Sequence, residues 1–377
     1  MINNLFFKER NIFYKYSKLE SILNLQGFKE YITILIMLKK LNYIGSKHSL
    51  LPFIESTIRN EMDTNDFSKM KFADVFSGTS SVGFLFRNLG CSAIYSNDIE
   101  YFSHVIARAS ICSNYTEKVK KLMGVLSASE PSIGCVSKNY SESGEQQRMF
   151  FSIENANRID GMRMKLEEIK PTITENEYYF LLASIIVSAD TSANVPAIYG
   201  SFLKEYKKSA VNPIRLEPIH TKTGIIKNNR AFQLDCIEFA DKMGAVDFVY
   251  LDPPYNERQY SKNYHVLNYI ARYDEELEIY GKTGLIKDVV LSDWCSKKTA
   301  PIVFDKLLEK LHTKTKYVFM SYNNEGIIGH DAIKEIFDKY FDTKIVSRET
   351  KRFKNFKYND TGTTIEYLWV GKAKAQL

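Results

Sequence analysis

The sequence of 377 residues predicts an α/β fold with a doubly wound, mostly parallel sheet and a long insert that is mainly helical or irregular. Two observations predict this fold. A short apolar strand, 71–76, enters a turn of small residues, then a helix and a second strand, 92–96, that ends beside an acid. The strand pattern returns only after residue 230, at 231–235, 246–251, 316–321, 343–348 and 364–371. The sheet is therefore expected to be interrupted between its second and third strands.

The interruption defines the expected domains. Residues 1–40 form an N-terminal extension of unknown role, 41–110 and 231–377 form the sheet domain, and 111–230 form the insert. Within the insert, 112–150 are expected to be irregular because they are polar and rich in serine and turn residues.

Composition limits the class of protein. Hydrophobic residues make up 44% of the chain, which is enough for a sizeable core. The five cysteines are scattered without a Cys-x-x-Cys pair, so the sequence predicts neither a metal site nor a disulfide framework. The longest apolar run, 32–38, is far shorter than the roughly 20 residues of a membrane helix. No secretory signal opens the chain, and the expected location is the cytoplasm.

Basic residues are concentrated in two runs, although the net charge is only +6. Residues 201–230 contain seven Lys and Arg against two acids, and 344–357 contain six against one. Such runs are usually solvated surfaces. In a chain with 24 Tyr and 24 Phe, they favour a groove that binds nucleic acid.

The tetrapeptide Asp252-Pro253-Pro254-Tyr255 ends the apolar strand 246–251. Proline has a fixed φ and no amide donor, so the Asp252 carboxylate and the Pro253 carbonyl are left as acceptors at the carboxyl edge of the sheet. Together with the flat ring of Tyr255, they suit a planar ligand that carries an exocyclic amine. The alternative is a Pro-Pro strand terminator with an exposed acid.

The first strand leads into a turn that contains Asp74, Phe76 and Gly78. Glycine permits close approach of a ligand to the backbone, and the following helix N-terminus favours a negative group. The turn is neither a phosphate-binding loop nor a dinucleotide fingerprint, because the required residues and spacing are missing. Asp98 ends the second strand and Asp235 ends the third. Alternatively, the turn is an ordinary connection and Asp235 caps the next helix.

Upstream of that turn stands Tyr43-x-Gly45-x-Lys47, whose lysine alone would be read as a surface residue. The motifs follow one another in the order Tyr-x-Gly-x-Lys, glycine turn, Asp98, insert, Asp235 and Asp-Pro-Pro-Tyr. In this order, residues 41–371 resemble the Dam-like, alpha-ordered class of DNA adenine N6-methyltransferases. Members of that class commonly partner type II restriction enzymes. The family usually has a second glycine where Ser80 stands.

The resemblance implies an S-adenosylmethionine-dependent methyltransferase domain at 41–110 and 231–377, and a target-recognition domain at 111–230. It implies nine residues that hold the cofactor: Tyr43, Gly45, Lys47, Asp74, Phe76, Gly78, Asp98, Asp235 and Asp252. The catalytic residues would be Asp252, Pro253, Pro254 and Tyr255, acting on the exocyclic amine of an adenine flipped out of the duplex.

The implied partners are double-stranded DNA and a restriction endonuclease acting on the same site, in the cytoplasm with the nucleoid and without a membrane. The residues expected to contact the DNA backbone are Lys204, Lys207, Lys208, Arg215 and Arg258. The candidates for reading bases include Asn155, Asn157, Arg158, Arg163 and Asn194.

Three other functions stay open at this point. An RNA base amino-methyltransferase can use a similar tetrapeptide, although the long insert and the upstream lysine argue against it. A methyltransferase for protein glutamine amides would usually have Asn in place of Asp252. A non-catalytic DNA-binding module would not need Asp252 or a cofactor cleft.

Overall fold

A computed structural model of the chain describes residues 38–351 and 363–374. Its strands are β1 Lys71–Asp74, β2 Ala93–Asn97, β3 Arg230–Phe232, β4 Val246–Leu251, β5 Ile279–Tyr280, β6 Leu285–Ile286, β7 Thr315–Asn323, β8 Phe341–Lys351 and β9 Thr363–Ala373. Its α-helices are α1 Leu51–Glu61, α2 Ser81–Asn88, α3 Tyr101–Cys112, α4 Glu117–Ser127, α5 Cys135–Tyr140, α6 Ile153–Ile169, α7 Glu175–Ser192, α8 Lys208–Val211, α9 Cys236–Lys242, α10 Tyr260–Asn263, α11 His265–Arg272, α12 Ala300–Leu311 and α13 His330–Tyr340. The extension predicted at 1–40 lies almost entirely outside the described residues.

Seven strands form one sheet in the order β3-β2-β1-β4-β7-β9-β8. The five strands from β3 to β7 run parallel, whereas β9 is antiparallel to both of its neighbours, β7 and β8. The chain moves outward from β1 to β3 and then returns to the other side of β1 as β4. Sheets of this kind open a ligand crevice at such a switch point, at the carboxyl ends of the strands. The predicted doubly wound, mostly parallel sheet is confirmed.

Both faces of the sheet are covered by helices. Phe72 and Phe248 belong to a hydrophobic cluster with α1, α2, α3 and α7, while Ala73 and Val249 belong to a second cluster with α9, α12 and α13. Consecutive residues point to opposite faces of a strand, so these neighbours divide between the two clusters. Burial on both faces explains why the central strands are apolar along most of their length.

The insert between 111 and 230 is helical, and more so than predicted, because α4 and α5 lie within the stretch expected to be irregular. In α4, Val119, Met123 and Leu126 form a buried stripe at helical spacing among lysines. Thr116 caps this helix by accepting a hydrogen bond from the Val119 N–H at 3.2 Å. Helix α7 packs against α3, so the insert shares a core with the sheet domain.

Among the helices of the described ranges, none has the length and apolar character that a membrane crossing demands.

Candidate active site

A cleft opens beyond the carboxyl ends of β1 to β4, with about 880 Å³ of empty space that includes the solvent at its mouth. It is lined by all nine residues predicted to hold a cofactor, which are Tyr43, Gly45, Lys47, Asp74, Phe76, Gly78, Asp98, Asp235 and Asp252. Pro254 and Tyr255 of the predicted catalytic tetrapeptide also line it, and Pro253 is buried. Residues from distant parts of the sequence meet here because parallel strands bring their carboxyl ends to one edge.

The turn after β1 requires glycine at position 78. This residue has φ +48°, and its N–H donates a hydrogen bond to Asp98 Oδ2 at 2.7 Å. A Cβ atom at Gly78 would lie 3.1 Å from the Tyr43 ring. Glycine is therefore favoured both by the left-handed backbone and by the aromatic side chain packed against it.

Ser80, which stands where the resembling family usually has glycine, also has a left-handed backbone, with φ +56°. This conformation gives the physical reason for the usual glycine, since residues with a Cβ adopt it at a cost. The Ser80 side chain is fully buried, and its hydroxyl has no hydrogen-bond partner among the described residues.

The segment before α1 is held against the tetrapeptide by aromatic side chains. The Tyr43 ring stacks on Tyr264 with ring centroids 4.8 Å apart, and the Ile44 N–H donates to the Tyr264 hydroxyl at 2.7 Å. Gly45 has φ +79°, and a Cβ there would lie 3.2 Å from the Tyr255 ring. The motifs Tyr43-x-Gly45-x-Lys47 and Asp-Pro-Pro-Tyr thus form one wall of the cleft.

Lys47 and Asp252 form an ion pair in that wall. The Lys47 ammonium lies 2.7 Å from Asp252 Oδ1 and 3.6 Å from Glu366 Oε1, and it donates to the Gly45 carbonyl at 3.1 Å. The Lys47 side chain is only 6% exposed, unlike most lysines, which lie on the surface.

Burial and these charges set the ionisation of the pair. Burial raises the pKa of Asp252 to about 6, although Lys47 opposes the shift. Burial lowers the pKa of Lys47, but Asp252 and Glu366 outweigh it and leave that pKa above its ordinary value. Both groups are therefore charged at neutral pH.

Three further carboxylates surround the cleft in different ways. Burial raises the pKa of Asp74 well above its usual range, and Asp74 Oδ1 has no partner among the described residues. Burial also raises the pKa of Asp98 to about 6, against the hydrogen bonds from the Glu100 and Gly78 N–H groups. Asp235 is exposed and caps α9 by accepting the Ile237 N–H at 2.8 Å, so it both caps the helix and lines the cleft.

Comparison with known proteins identifies the family. The model of the D12 class N6 adenine-specific DNA methyltransferase matches residues 43–352. The chain belongs to this family. The methyltransferase class that the sequence resembles is thereby confirmed.

Named relatives of this methyltransferase are modification enzymes. Type II methyltransferase M.NlaIII of Neisseria lactamica is 38% identical over 88% of this chain and 98% of its own length. Type II methyltransferase M.CviAII of Paramecium bursaria Chlorella virus 1 is 32% identical over 84% of this chain and 94% of its own. Modification methylase StsI of Streptococcus sanguinis is 34% identical over 80% of this chain. The match covers only 46% of the length of that relative.

The residues predicted to contact DNA lie outside the lining of the cleft. In the methyltransferase, Lys204, Lys208, Arg215 and Arg258 are exposed. Lys207 is partly buried, and its ammonium donates to the Val195 carbonyl at 3.0 Å. Among the described residues, the neighbouring Lys204 and Lys208 have no such partner.

The basic run 201–230 does not form one surface. Lys227 donates to the carbonyl of Gly90, which precedes β2 and so lies at the amino edge of the sheet, opposite the cleft. Arg230 begins β3, where it pairs with Tyr95 of β2. Of the second run, Lys344 pairs with Glu61; the stretch from Arg352 to Lys357 lies outside the described residues.

The methyltransferase uses four of its candidate base-reading side chains to hold its own backbone. Asn155 donates to the carbonyls of Ala210 and Asn212 at 2.9 and 3.0 Å. Arg163 is fully buried and donates to the Ile270 carbonyl at 2.9 Å. The other two are committed in the same way, Arg158 to the carbonyls of Ser127 and Ser129, and Asn194 to those of Met149 and Leu203.

Sequence reasoning missed several residues of the site. Glu100, Tyr260 and Trp294 line the cleft, and Glu366 reaches Lys47 from β9. Burial raises the pKa of Glu100 to about 7, although Asn268 donates to its carboxylate at 2.6 Å. The available signal for Glu366 was an acid inside the otherwise apolar run 365–370, because a buried acid requires a partner.

Proposed function

We propose that this enzyme is a site-specific DNA adenine N6-methyltransferase that uses S-adenosylmethionine and modifies a flipped-out adenine in duplex DNA. The observation that carries the proposal is the position of Asp252 directly after β4, where it lies 2.7 Å from Lys47 and lines the same cleft as the residues proposed to hold the cofactor. Family membership supports adenine as the methylated base.

The cleft fits S-adenosylmethionine, which supplies a methyl group activated on a positively charged sulfonium. Buried carboxylates suit a cationic ligand, and Asp74 Oδ1 is an acceptor without a partner among the described residues. Around the glycine turn, Asp74, Phe76 and Gly78 would hold the methionine part. Asp98 would accept from the ribose hydroxyls and Asp235 from the adenine amine of the cofactor. The cofactor would also contact Tyr43, Gly45 and Lys47, which line the same cleft.

The tetrapeptide would act on the target base. The Asp252 carboxylate and the Pro253 carbonyl accept the two hydrogens of the adenine amine, and Tyr255 stacks on the base. The lone pair of the amine is delocalised into the adenine ring, which makes the nitrogen a poor nucleophile. When both amine hydrogens are hydrogen-bonded to these acceptors, the nitrogen can become pyramidal and direct its lone pair toward the methyl group. The nitrogen would gain the methyl group as the carbon–sulfur bond of the sulfonium breaks and leaves a neutral thioether, and it would lose one proton through its hydrogen bond to Asp252. Asp252 is ionised above pH about 6 and can accept that hydrogen bond.

Target recognition is proposed for the insert, 111–230. Exposed Lys204 and Lys208, with Arg215 and Arg258, would contact phosphates, which fix the enzyme on the duplex without reading its sequence. Lys207 would contribute through a donor that remains after its bond to Val195. The target base must leave the helix because the cleft cannot reach an amine inside the duplex.

The biological role is proposed from the printed names of the relatives, which are type II methyltransferases and modification methylases. On that basis the enzyme protects DNA from a restriction endonuclease that acts on the same site, in the cytoplasm with the nucleoid.

Asp252→Ala tests the function. Transfer of labelled methyl groups to duplex DNA should fall by about a hundredfold or more, since the variant loses an acceptor used in the transition state. Sequencing that detects N6-methyladenine would give the modified site. Circular dichroism should show an unchanged fold.

Glu257→Gln is the matched control, because Glu257 is an exposed acid in the same turn and should leave activity as it is. An Asp252→Ala enzyme that keeps activity within about threefold of the parent contradicts the assignment. Methyl transfer to single-stranded RNA in preference to duplex DNA would instead favour an RNA base methyltransferase.

A further inference from the structure

The Lys47 ammonium is shared among three acceptors. It lies 2.7 Å from Asp252 Oδ1, 3.1 Å from the Gly45 carbonyl oxygen and 3.6 Å from Glu366 Oε1. An ammonium group has three donors, so these acceptors match its capacity. The two shorter contacts are hydrogen bonds, while the separation from Glu366 is that of an ion pair.

Glu366 reaches this position from the far end of the chain. It lies in β9, opposite Asn323 of β7 and Arg348 of β8, and beyond the residues 43–352 that the family model matches. Its side chain is 10% exposed. A buried carboxylate is costly unless it is paired, and the nearby ammonium of Lys47 supplies the opposite charge.

The three side chains carry a net charge of −1, from one ammonium and two carboxylates. If Glu366 were absent, Lys47 and Asp252 would form a neutral pair, and Asp252 would be the only carboxylate of the three side chains left to attract the ammonium. With Glu366 present, the Lys47 ammonium is attracted to both carboxylates. It therefore interacts less strongly with Asp252, whose oxygens are freer to accept hydrogen bonds from another group.

We infer that Glu366 is a positioning residue for methyl transfer, which holds Lys47 between two carboxylates so that Asp252 remains available to the target amine. The inference rests on the proposed function, since the target amine belongs to it. Glu366 itself touches neither reactant in this inference and acts through Lys47.

The charge of Glu366 also acts on the pKa of Asp252. The ionisable groups that act on Asp252 are Lys47 and Tyr43 before α1, Asp74 in β1, Asp98 after β2, Tyr250 in β4, Glu366 in β9, and Tyr255 and Tyr260. Burial raises the pKa of Asp252, Lys47 lowers it, and Glu366 raises it. Removing the charge of Glu366 should therefore lower the pKa of Asp252.

Glu366→Gln removes that charge with little change of shape. The parent should lose kcat as the pH falls through about 6, where Asp252 becomes protonated. In Glu366→Gln this limb should move to lower pH, by on the order of one unit. At pH 7.5, kcat should fall by roughly tenfold or more because Asp252 is held by Lys47. Affinity for S-adenosylmethionine, measured by calorimetry, should change much less.

Two further variants separate charge from structure. Glu366→Asp keeps the charge but withdraws it from Lys47, so its acid limb should lie between those of the parent and Glu366→Gln. Glu349→Gln removes an exposed acid from the neighbouring strand β8 and should match the parent. If Glu366→Gln does not fold, Glu366→Asp decides, and an unmoved acid limb in that variant overturns the inference.

A readout without turnover keeps the inference distinct from the proposed function. Titration of the Asp252 carboxyl by nuclear magnetic resonance, assigned with Asp252→Asn, follows the pKa directly. A parent that does not methylate DNA contradicts the proposed function. A carboxyl that titrates identically in the parent and in the Glu366 variant that folds contradicts the positioning role.

Discussion

Ser80 lies in the turn that faces the cleft and combines two unfavourable features. Its backbone is left-handed, with φ +56°, and its buried hydroxyl has no partner among the described residues. Glycine would remove both, because it has neither a Cβ nor a polar group to bury. The strain sits beside the residues proposed to hold the cofactor, which is where proteins tend to retain it.

Ser80→Gly should raise the free energy of unfolding by about 0.5–1 kcal/mol. This is the energy that a residue with a Cβ loses in a left-handed backbone, minus the conformational entropy that glycine loses on folding. Urea denaturation of the purified enzyme measures it. Ser81→Gly is the control, because the Ser81 hydroxyl has a partner in the Thr79 hydroxyl at 2.9 Å, and losing that hydrogen bond should lower the free energy of unfolding. A Ser80→Gly enzyme that is less stable than the parent would show that the hydroxyl has a partner.

The sequence predicts that a residue lies in the site when that residue stands at the end of a parallel strand. Asp74, Asp98 and Asp252 each follow or end a parallel strand, so the sequence pattern alone brings them to one edge of the sheet. Glu366 was not predictable in this way, because its contact with Lys47 depends on the register of β9 against β7. Sequence gives no local signal for that register.

At the scale of elements, the basic loop 194–208 is fixed by Asn194. The Asn194 amide donates to the Met149 carbonyl at 3.0 Å and to the Leu203 carbonyl at 3.1 Å, and its oxygen accepts the Lys207 N–H at 3.1 Å. The sequence suggested base reading for Asn194. In the structure, this side chain ties the basic loop to the segment that precedes α6.

Replacing Lys204 and Lys208 by Gln together should weaken DNA binding and make it less dependent on salt. Each lost phosphate contact removes just under one unit of the slope of log K against log salt concentration. Fluorescence anisotropy with a labelled duplex at several salt concentrations measures the slope.

Lys227→Gln is the control for that pair, because Lys227 belongs to the same basic run but bonds to Gly90 at the amino edge of the sheet. It should leave the slope unchanged. An equal effect of Lys227→Gln, or no effect of the double substitution, would mean that the loop does not contact phosphates.

At the scale of the whole molecule, the insert and the sheet domain are one packing unit. Phe180 and Ile185 of α7 belong to the same buried cluster as Phe72 of β1 and Phe248 of β4. Sequence composition marked the insert by its interruption of the strand pattern. It did not reveal this shared core, because helical burial against a sheet depends on contacts between distant residues.

We therefore expect the described body of the protein to unfold in a single transition. The two tryptophans, Trp294 and Trp369, lie in the second cluster beneath the sheet, whereas α4, α6 and α7 contribute much of the helical signal. Thermal melts followed by tryptophan fluorescence and by far-ultraviolet circular dichroism should coincide. Loss of helix at a lower temperature than the fluorescence change would show that the insert unfolds by itself.

The position of β9 has a consequence for how the enzyme becomes competent during synthesis. Strand β9 follows β8 in the chain but lies between β7 and β8 in the sheet, so β8 and β9 can pair locally as a hairpin before that hairpin docks on β7. Chains emerge from the ribosome with earlier elements first. The carboxylate of Glu366 reaches Lys47 only on docking, so a nascent chain that has already built the cleft would still lack its full charge network.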